Sequence, residues 1–219
     1  GDMPIEESGN MLILSAAIAA IEGNANYAAK HWEVLTIWVD YLIEKGLDPD
    51  NQLCTDDFSG HFAHNANLSI KAIMGIASYG KLASMLGKPD TADKYLGIAR
   101  EMAIEWEKMA CDGNHYKLTF DRSGIWSQKY NLVWDRLLGF KVFDPEIARK
   151  EMDYCLTQQN KYGLPLDHRA TYTKSDWIMW TATLTGERRD FEALITPIYR
   201  YANETFSRVQ IGRASCRER

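Results

Sequence analysis

The sequence predicts an all-α protein built from helical hairpins, and three observations lead there. Apolar residues recur at helical spacing through most of the 219 residues, tight turns alternate with long loops, and the long loops concentrate Asp, His, Trp, Lys and Asn. Helices joined by a short turn run antiparallel, so alternating short and long connections collect the long loops at one end. That end is where a functional site is expected.

Each pair follows from its own pattern. Residues 10–22 are apolar and Ala-rich, and residues 27–44 repeat Trp32, Leu35, Trp38 or Val39, and Leu42, with only Gly-Asn-Ala-Asn between them. The second pair spans 63–86 and 91–110, the latter with Tyr95, Ala99, Met102, Trp106 and Ala110 on one face. Its connector, Gly87-Lys88-Pro89-Asp90, joins a glycine stop to a proline and a capping aspartate. The third pair is 130–138 and 145–160, with Asp144 as N-cap and Pro145 in the first helical position. The fourth is 175–184 and 190–206, where Pro197 is expected to kink the last helix. The remaining connections, 46–62, 111–129 and 161–174, far exceed the roughly 2 to 8 residues usual between bundle helices. With the opening segment Met-Pro-Ile-Glu-Glu-Ser-Gly-Asn, they are expected to bring Glu6, Asp57, His61, Trp126, Lys129, Asp167 and Lys174 to one end.

Composition bounds the function classes. With 46% hydrophobic residues the chain can bury a sizeable core, and no apolar run approaches the roughly 20 residues of a membrane span. Twenty-five basic against 30 acidic residues, with no basic stripe, argue against a nucleic-acid partner, and a membrane partner is not expected either. The four cysteines lack metal-like spacing and do not resemble a disulfide framework. No metal or cofactor motif is present, so no cofactor is expected. Residues 210–219, Gln-Ile-Gly-Arg-Ala-Ser-Cys-Arg-Glu-Arg, lose the apolar pattern and resemble the translation of a sequencing adapter, so 1–209 is read as the domain and 210–219 as a non-native tail.

The loops hold the candidate chemistry, each candidate with a plainer alternative. Glu6 and Glu7 precede the first apolar helix, where carboxylates suit the dipole whether or not they meet a ligand. Asp56, Asp57, His61, His64 and Asn65 crowd one helix start. One aspartate there can cap while the other serves as acid or base. His61 and His64 lie three apart, but no third ligand completes a known metal motif. The next helix start offers Asp121, Trp126, Lys129, Tyr130 and Asn131, and the last offers Asp167, His168, Arg169, Tyr172, Lys174, Asp176 and Trp177. Arg169 either clamps a substrate carboxylate or ties Asp167 and holds its loop closed. Trp126 and Trp177 either line a pocket or pack as core. Cys54 and Ser8 are candidate nucleophiles without a triad setting, and a structural reading of both is preferred.

Four strings carry a resemblance to a known family. They are MPIEESGNMLIL, GLDPDNQLCTDDFSGHFAHNANLSIKAIMGIASYGKLA, DGNHYKLTFDRSGIWSQKYNLVWDRLLG and NKYGLPLDHRATYTKSDWIMWTATL. Together they resemble the C-terminal domain of the glutaminase A family, secreted fungal glutaminases and their bacterial relatives. The resemblance implies an α/α toroid of six helical hairpins, usually preceded by a β-rich domain, and hydrolysis of L-glutamine to L-glutamate and ammonia. It also implies that about four of six hairpins lie in this chain, the rest and the β-rich domain belonging to the same protein, and a secreted or periplasmic location. Within that chemistry, Asp56 or Asp57 is the candidate general base, with Asp167 a further acid. Arg169 or Lys174 is the candidate partner of the substrate's α-carboxylate, and Glu6 or Glu7 of its α-amine. His61, Asn65, Trp126, Lys129, Asp176 and Trp177 are candidate substrate contacts. A six-hairpin glycoside hydrolase or carbohydrate-binding domain is the alternative, since such pockets use paired carboxylates and Trp platforms.

Overall fold

Pro4 opens the first helix, α1 (Pro4–Glu22), earlier than the apolar pattern indicates. Proline has no N–H to leave unsatisfied at a helix start, and Glu6 and Glu7 in the first turn favour its positive dipole end. The two glutamates therefore sit inside the helix rather than before it. The computed structural model describes residues 2–54, 60–205 and 214–215. Asp56 and Asp57 lie outside the described residues.

The helix expected over 27–44 is two, α2 (Asn26–Lys30) and α3 (Trp32–Lys45), because His31 between them leaves the helical region at φ −118°, ψ 16°. The second pair is α4 (Ala66–Met85) and α5 (Pro89–Ala110). A 3-10 turn (Tyr130–Leu132) leads into α6 (Val133–Leu138), then α7 (Pro145–Gln158), α8 (Ser175–Ala182) and α9 (Arg188–Glu204). Asp144 caps α7 by accepting from Glu146 N at 2.9 Å. The third pair is not a packed hairpin of two long helices: the short α6 leans on α1, while α7 packs against α9. Asp135 sets that break by accepting from Val142 N and Phe143 N, both at 3.1 Å, which folds the connector back onto α6. Pro197 lies inside α9, which continues past it to Glu204. Proline cannot donate to the Ala193 carbonyl one turn back, and Gln159 Nε2 donates to that oxygen instead at 3.2 Å.

The helix α4 is the hub, buried on nearly every side against α1, α3, α5 and the 3-10 turn. Two glycines let α1 reach it. A Cβ on Gly75 would stand 3.2 Å from Gly9 Cα, and one on Gly9 would stand 2.7 Å from Lys71 Cγ, so a side chain at either position would push the helices apart. One hydrophobic cluster joins α1, α3, α4, α5 and α6, and a second, around Met152, Cys155, Leu164, Ile178 and Leu194, lies among α7, α8 and α9. Met11, Leu14, Ile18 and Ile21, spaced three and four apart on α1, face solvent. That stripe is an apolar helix face of the kind on which a further helix packs.

Strands are few among the described residues: β1 (Gln52–Leu53) with β2 (His61–Phe62), β3 (Cys111–Asp112) with β4 (His115–Tyr116), and β5 (Tyr172–Thr173) with β6 (Ala214–Ser215), all antiparallel. The last ladder joins two residues of the segment 210–219, where the sequence pattern anticipates no packing, to the loop before α8. The other tail residues lie outside the described ones.

Candidate active site

Short connectors, 23–25, 86–88, 139–144 and 183–187, alternate with the long stretches 46–65, 111–129 and 159–174. The long stretches are stitched to one another. Ala66 N donates to Leu118 O at 2.9 Å and Phe120 N to His64 O at 2.9 Å, joining the first stretch to the second. Gln128 N donates to Leu166 O at 2.8 Å and His168 N to Trp126 O at 3.2 Å, joining the second to the third. The start of α1 closes the group, with Ile5 N donating to Gln52 Oε1 at 3.0 Å. Backbone groups that would otherwise be buried without partners thus satisfy one another across loops far apart in sequence.

A pocket with about 320 Å³ of empty space, counting its open mouth, lies where these segments meet. Glu6 of α1, Cys54, Asn65 and Asn67 at the start of α4, Ser127 and Gln128, Tyr130 and Asn131 of the 3-10 turn, and Asp167 contribute to its wall. Glu6, Asn65 and Asp167, three of the sequence-predicted residues, therefore share one cavity.

Each of these side chains is held from behind. Glu6, 1% exposed, pairs with Lys71 Nζ at 3.1 Å, and Asn10 joins both, its Oδ1 accepting from Lys71 at 2.6 Å and its Nδ2 donating to Glu6 at 3.3 Å. Asn65 caps α4 by accepting from Leu68 N at 2.9 Å. Asn131 N and Nδ2 donate to the side-chain and backbone oxygens of Asn67 at 3.3 and 3.0 Å, whereas Asn131 Oδ1, buried in the pocket wall, has no hydrogen-bond partner among the described residues. Asp167 accepts from Arg169 N at 2.8 Å and Nε at 2.9 Å, and Arg169 also lies over the Phe62 ring at 4.7 Å. Arg169 is thereby tied to Asp167 across its own loop. Gln128 is fully buried: its Nε2 faces Leu164 O, Pro165 O and Thr173 Oγ1, and its Oε1 accepts from Thr181 Oγ1 at 3.0 Å.

Other predicted residues lie elsewhere. Glu7 points to solvent, one helical position round from Glu6. Lys129 is wholly buried behind the pocket wall, with Nζ donating to Tyr116 O at 3.1 Å and Ser127 O at 2.9 Å, and lying 3.3 Å from Ser127 Oγ and 4.0 Å from Glu151 Oε1. Burial pushes its pKa down. Trp126 packs in the α7–α9 core, and Trp177 stacks on Tyr130 with ring centres 5.4 Å apart, so both indoles are core and neither lines the pocket. Lys174 lies over the Trp177 ring at 4.5 Å, Asp176 is exposed and accepts from Trp177 N at 3.1 Å, and His61 is exposed on β2. His64 is bound to Asp48 at 2.7 Å, and among the described residues no cluster of three His, Cys, Asp or Glu is arranged to hold a metal.

Asn67, Ser127 and Gln128 were missed by the sequence reading, and Asn67 belongs to a triplet that fits a glycosylation pattern but is buried against Asn131. One signal was available. Lys71 in the apolar run of α4 demands a buried carboxylate, which is Glu6.

A helical scaffold of paired helices whose long loops converge on one polar pocket is an all-α six-hairpin domain. The chain belongs to the glutaminase A six helical-hairpin family, whose domain it matches over residues 1–214. It is 36% identical to glutaminase A of Aspergillus oryzae over 210 residues, covering 93% of this chain and 30% of that protein. It is 30% identical to a probable glutaminase of Arthroderma benhamiae over 208 residues, covering 82% of this chain and 24% of that protein. The chain therefore spans less than a third of the length of either relative.

Proposed function

We propose that this chain supplies part of the substrate pocket of a glutaminase, which hydrolyses the side-chain amide of L-glutamine to give L-glutamate and ammonia. The observation that carries the reading is a small pocket in which Glu6, Asp167 and a set of buried amides converge from four separate segments. A substrate of amino-acid size needs a counter-charge for its ammonium and fixed polar groups for its amide. Glu6, anchored by Lys71 and Asn10, is suited to the ammonium. Arg169, tied to the pocket wall through Asp167, is the candidate for the α-carboxylate. Asp56 and Asp57 follow Cys54 of the wall by two and three residues in sequence and remain proposed acid–base groups. The glycan alternative is weakened by Trp126 and Trp177, which pack as core and offer no platform. The names carried by the two relatives support the amide reading, and the resemblance supports a secreted or periplasmic location.

The test is ammonia release by the full-length protein on L-glutamine, L-asparagine and a glycan panel. Release from glutamine is expected. Turnover of a glycan with no ammonia from either amide would overturn the proposal.

A further inference from the structure

We propose that Ser127 and Lys129 form a nucleophile–base pair for acyl transfer in this pocket, a role that takes its substrate from the glutaminase reading. Ser127 lines the cavity, and its Oγ lies 3.3 Å from Lys129 Nζ. The lysine is fully enclosed and bound by two backbone carbonyls, Tyr116 O at 3.1 Å and Ser127 O at 2.9 Å. A neutral amine has two N–H groups and one lone pair. Charged, Lys129 donates to Ser127 Oγ as well; neutral, with both N–H groups given to the carbonyls, its lone pair is left for the Ser127 hydroxyl, which then donates to nitrogen. This is the arrangement by which an adjacent base activates a serine.

Burial favours the neutral lysine, and its titratable neighbours act against that. Glu151 of α7 stands 4.0 Å away, and Cys155 and Asp167 act on Lys129 at longer range. Burial lowers the Lys129 pKa and raises that of Glu151, so each is pushed toward its uncharged form. Glu151 Oε1 meanwhile accepts from Tyr116 N at 3.2 Å, which fixes the strand carrying one of the lysine's carbonyl partners. The backbone bridge between Ser127 and Asp167 sets a carboxylate of the pocket wall beside the serine.

The chemistry closes on itself. Ser127 Oγ–H gives its proton to Lys129 Nζ as Oγ adds to the carboxamide carbon. The tetrahedral adduct collapses with cleavage of C–N, and the departing nitrogen takes the proton from Lys129 and leaves as ammonia. A water then adds to the resulting ester while Lys129 takes its proton. The C–Oγ bond breaks, glutamate leaves, and the proton returns to Ser127.

The full-length protein, quenched during turnover of glutamine and digested, should show a glutamyl ester on Ser127 by tandem mass spectrometry. Ser127→Ala should lose the ester and about a thousandfold or more in kcat while melting as the wild type does, and Ser123→Ala should keep both. A small sulfonyl fluoride is applied in parallel and should label Ser127 in the wild type and not in Lys129→Met. Ammonia release that survives Ser127→Ala within tenfold would overturn the pair and leave the glutaminase reading intact. No ammonia from glutamine, with Ser127 still labelled in a Lys129-dependent way, would keep the pair and overturn glutamine as substrate. Neither ammonia nor label would overturn both.

Discussion

Replacing Lys71 by Met in α4 removes the cation that faces Glu6 while nearly keeping the volume of the side chain. At 3.1 Å and an effective dielectric of about 20, the pair's attraction is about 5 kcal/mol, and both side chains are almost fully enclosed. Breaking a buried pair by removing one partner costs ~3–5 kcal/mol, because the other charge stays buried. Lys71→Met is therefore expected to lower unfolding stability by about 3 kcal/mol or more, read from urea midpoints at constant m-value. Glu6→Gln alone leaves a buried ammonium that keeps its bond to Asn10 and is expected to cost less. The double variant, with no buried charge at this point, should recover at least ~2 kcal/mol of the summed single losses. A loss below about 1 kcal/mol for Lys71→Met, or additive single effects, would show that the pair does not anchor Glu6 as described.

Gln128→Ala takes a partner from each of four buried polar atoms, in Leu164, Pro165, Thr173 and Thr181, and is expected to cost about 3 kcal/mol or more; a melting temperature within two or so degrees of wild type would contradict this. The hydrogen bond to Asp48 raises the His64 pKa above its ordinary value of about 6.5. Its contribution to stability is thus complete below that unfolded value and fades as pH rises through the higher folded one. NMR titration should give a His64 midpoint above 6.5 that returns to about 6.5 in Asp48→Asn, and an unchanged midpoint in that variant would refute the assignment. Deleting 210–219 removes a two-residue ladder to Tyr172–Thr173 and is expected to leave the melting temperature unchanged within error; a shift of several degrees would show that the segment packs.

Part of the site was legible before the fold because it is local. Arg169 closing onto Asp167 needs only two residues of chain, whereas the cap of α4 is Asn65 and not the aspartate offered for that helix start. Orientation was not legible. Glu6 and Glu7 are adjacent and chemically alike, and only the packing of α1 on α4 turns one toward Lys71 and the other to solvent. Trp126 and Trp177 read as site residues because they cluster in sequence with polar neighbours. Residues near one pocket wall can nevertheless face either way, and these two face the core.

The sequence by itself determined the helices and the alternation of short and long connections, since apolar periodicity, glycine stops and proline or aspartate starts act within a few residues. It also carried the family, in long strings of residues. The tertiary structure alone decided which side chains meet. Asn67 finds Asn131, Lys71 finds Glu6, and Ser127 finds Asp167. Those pairings join positions tens of residues apart. They form because buried polar groups must find partners once the apolar faces have closed, a requirement no local pattern encodes.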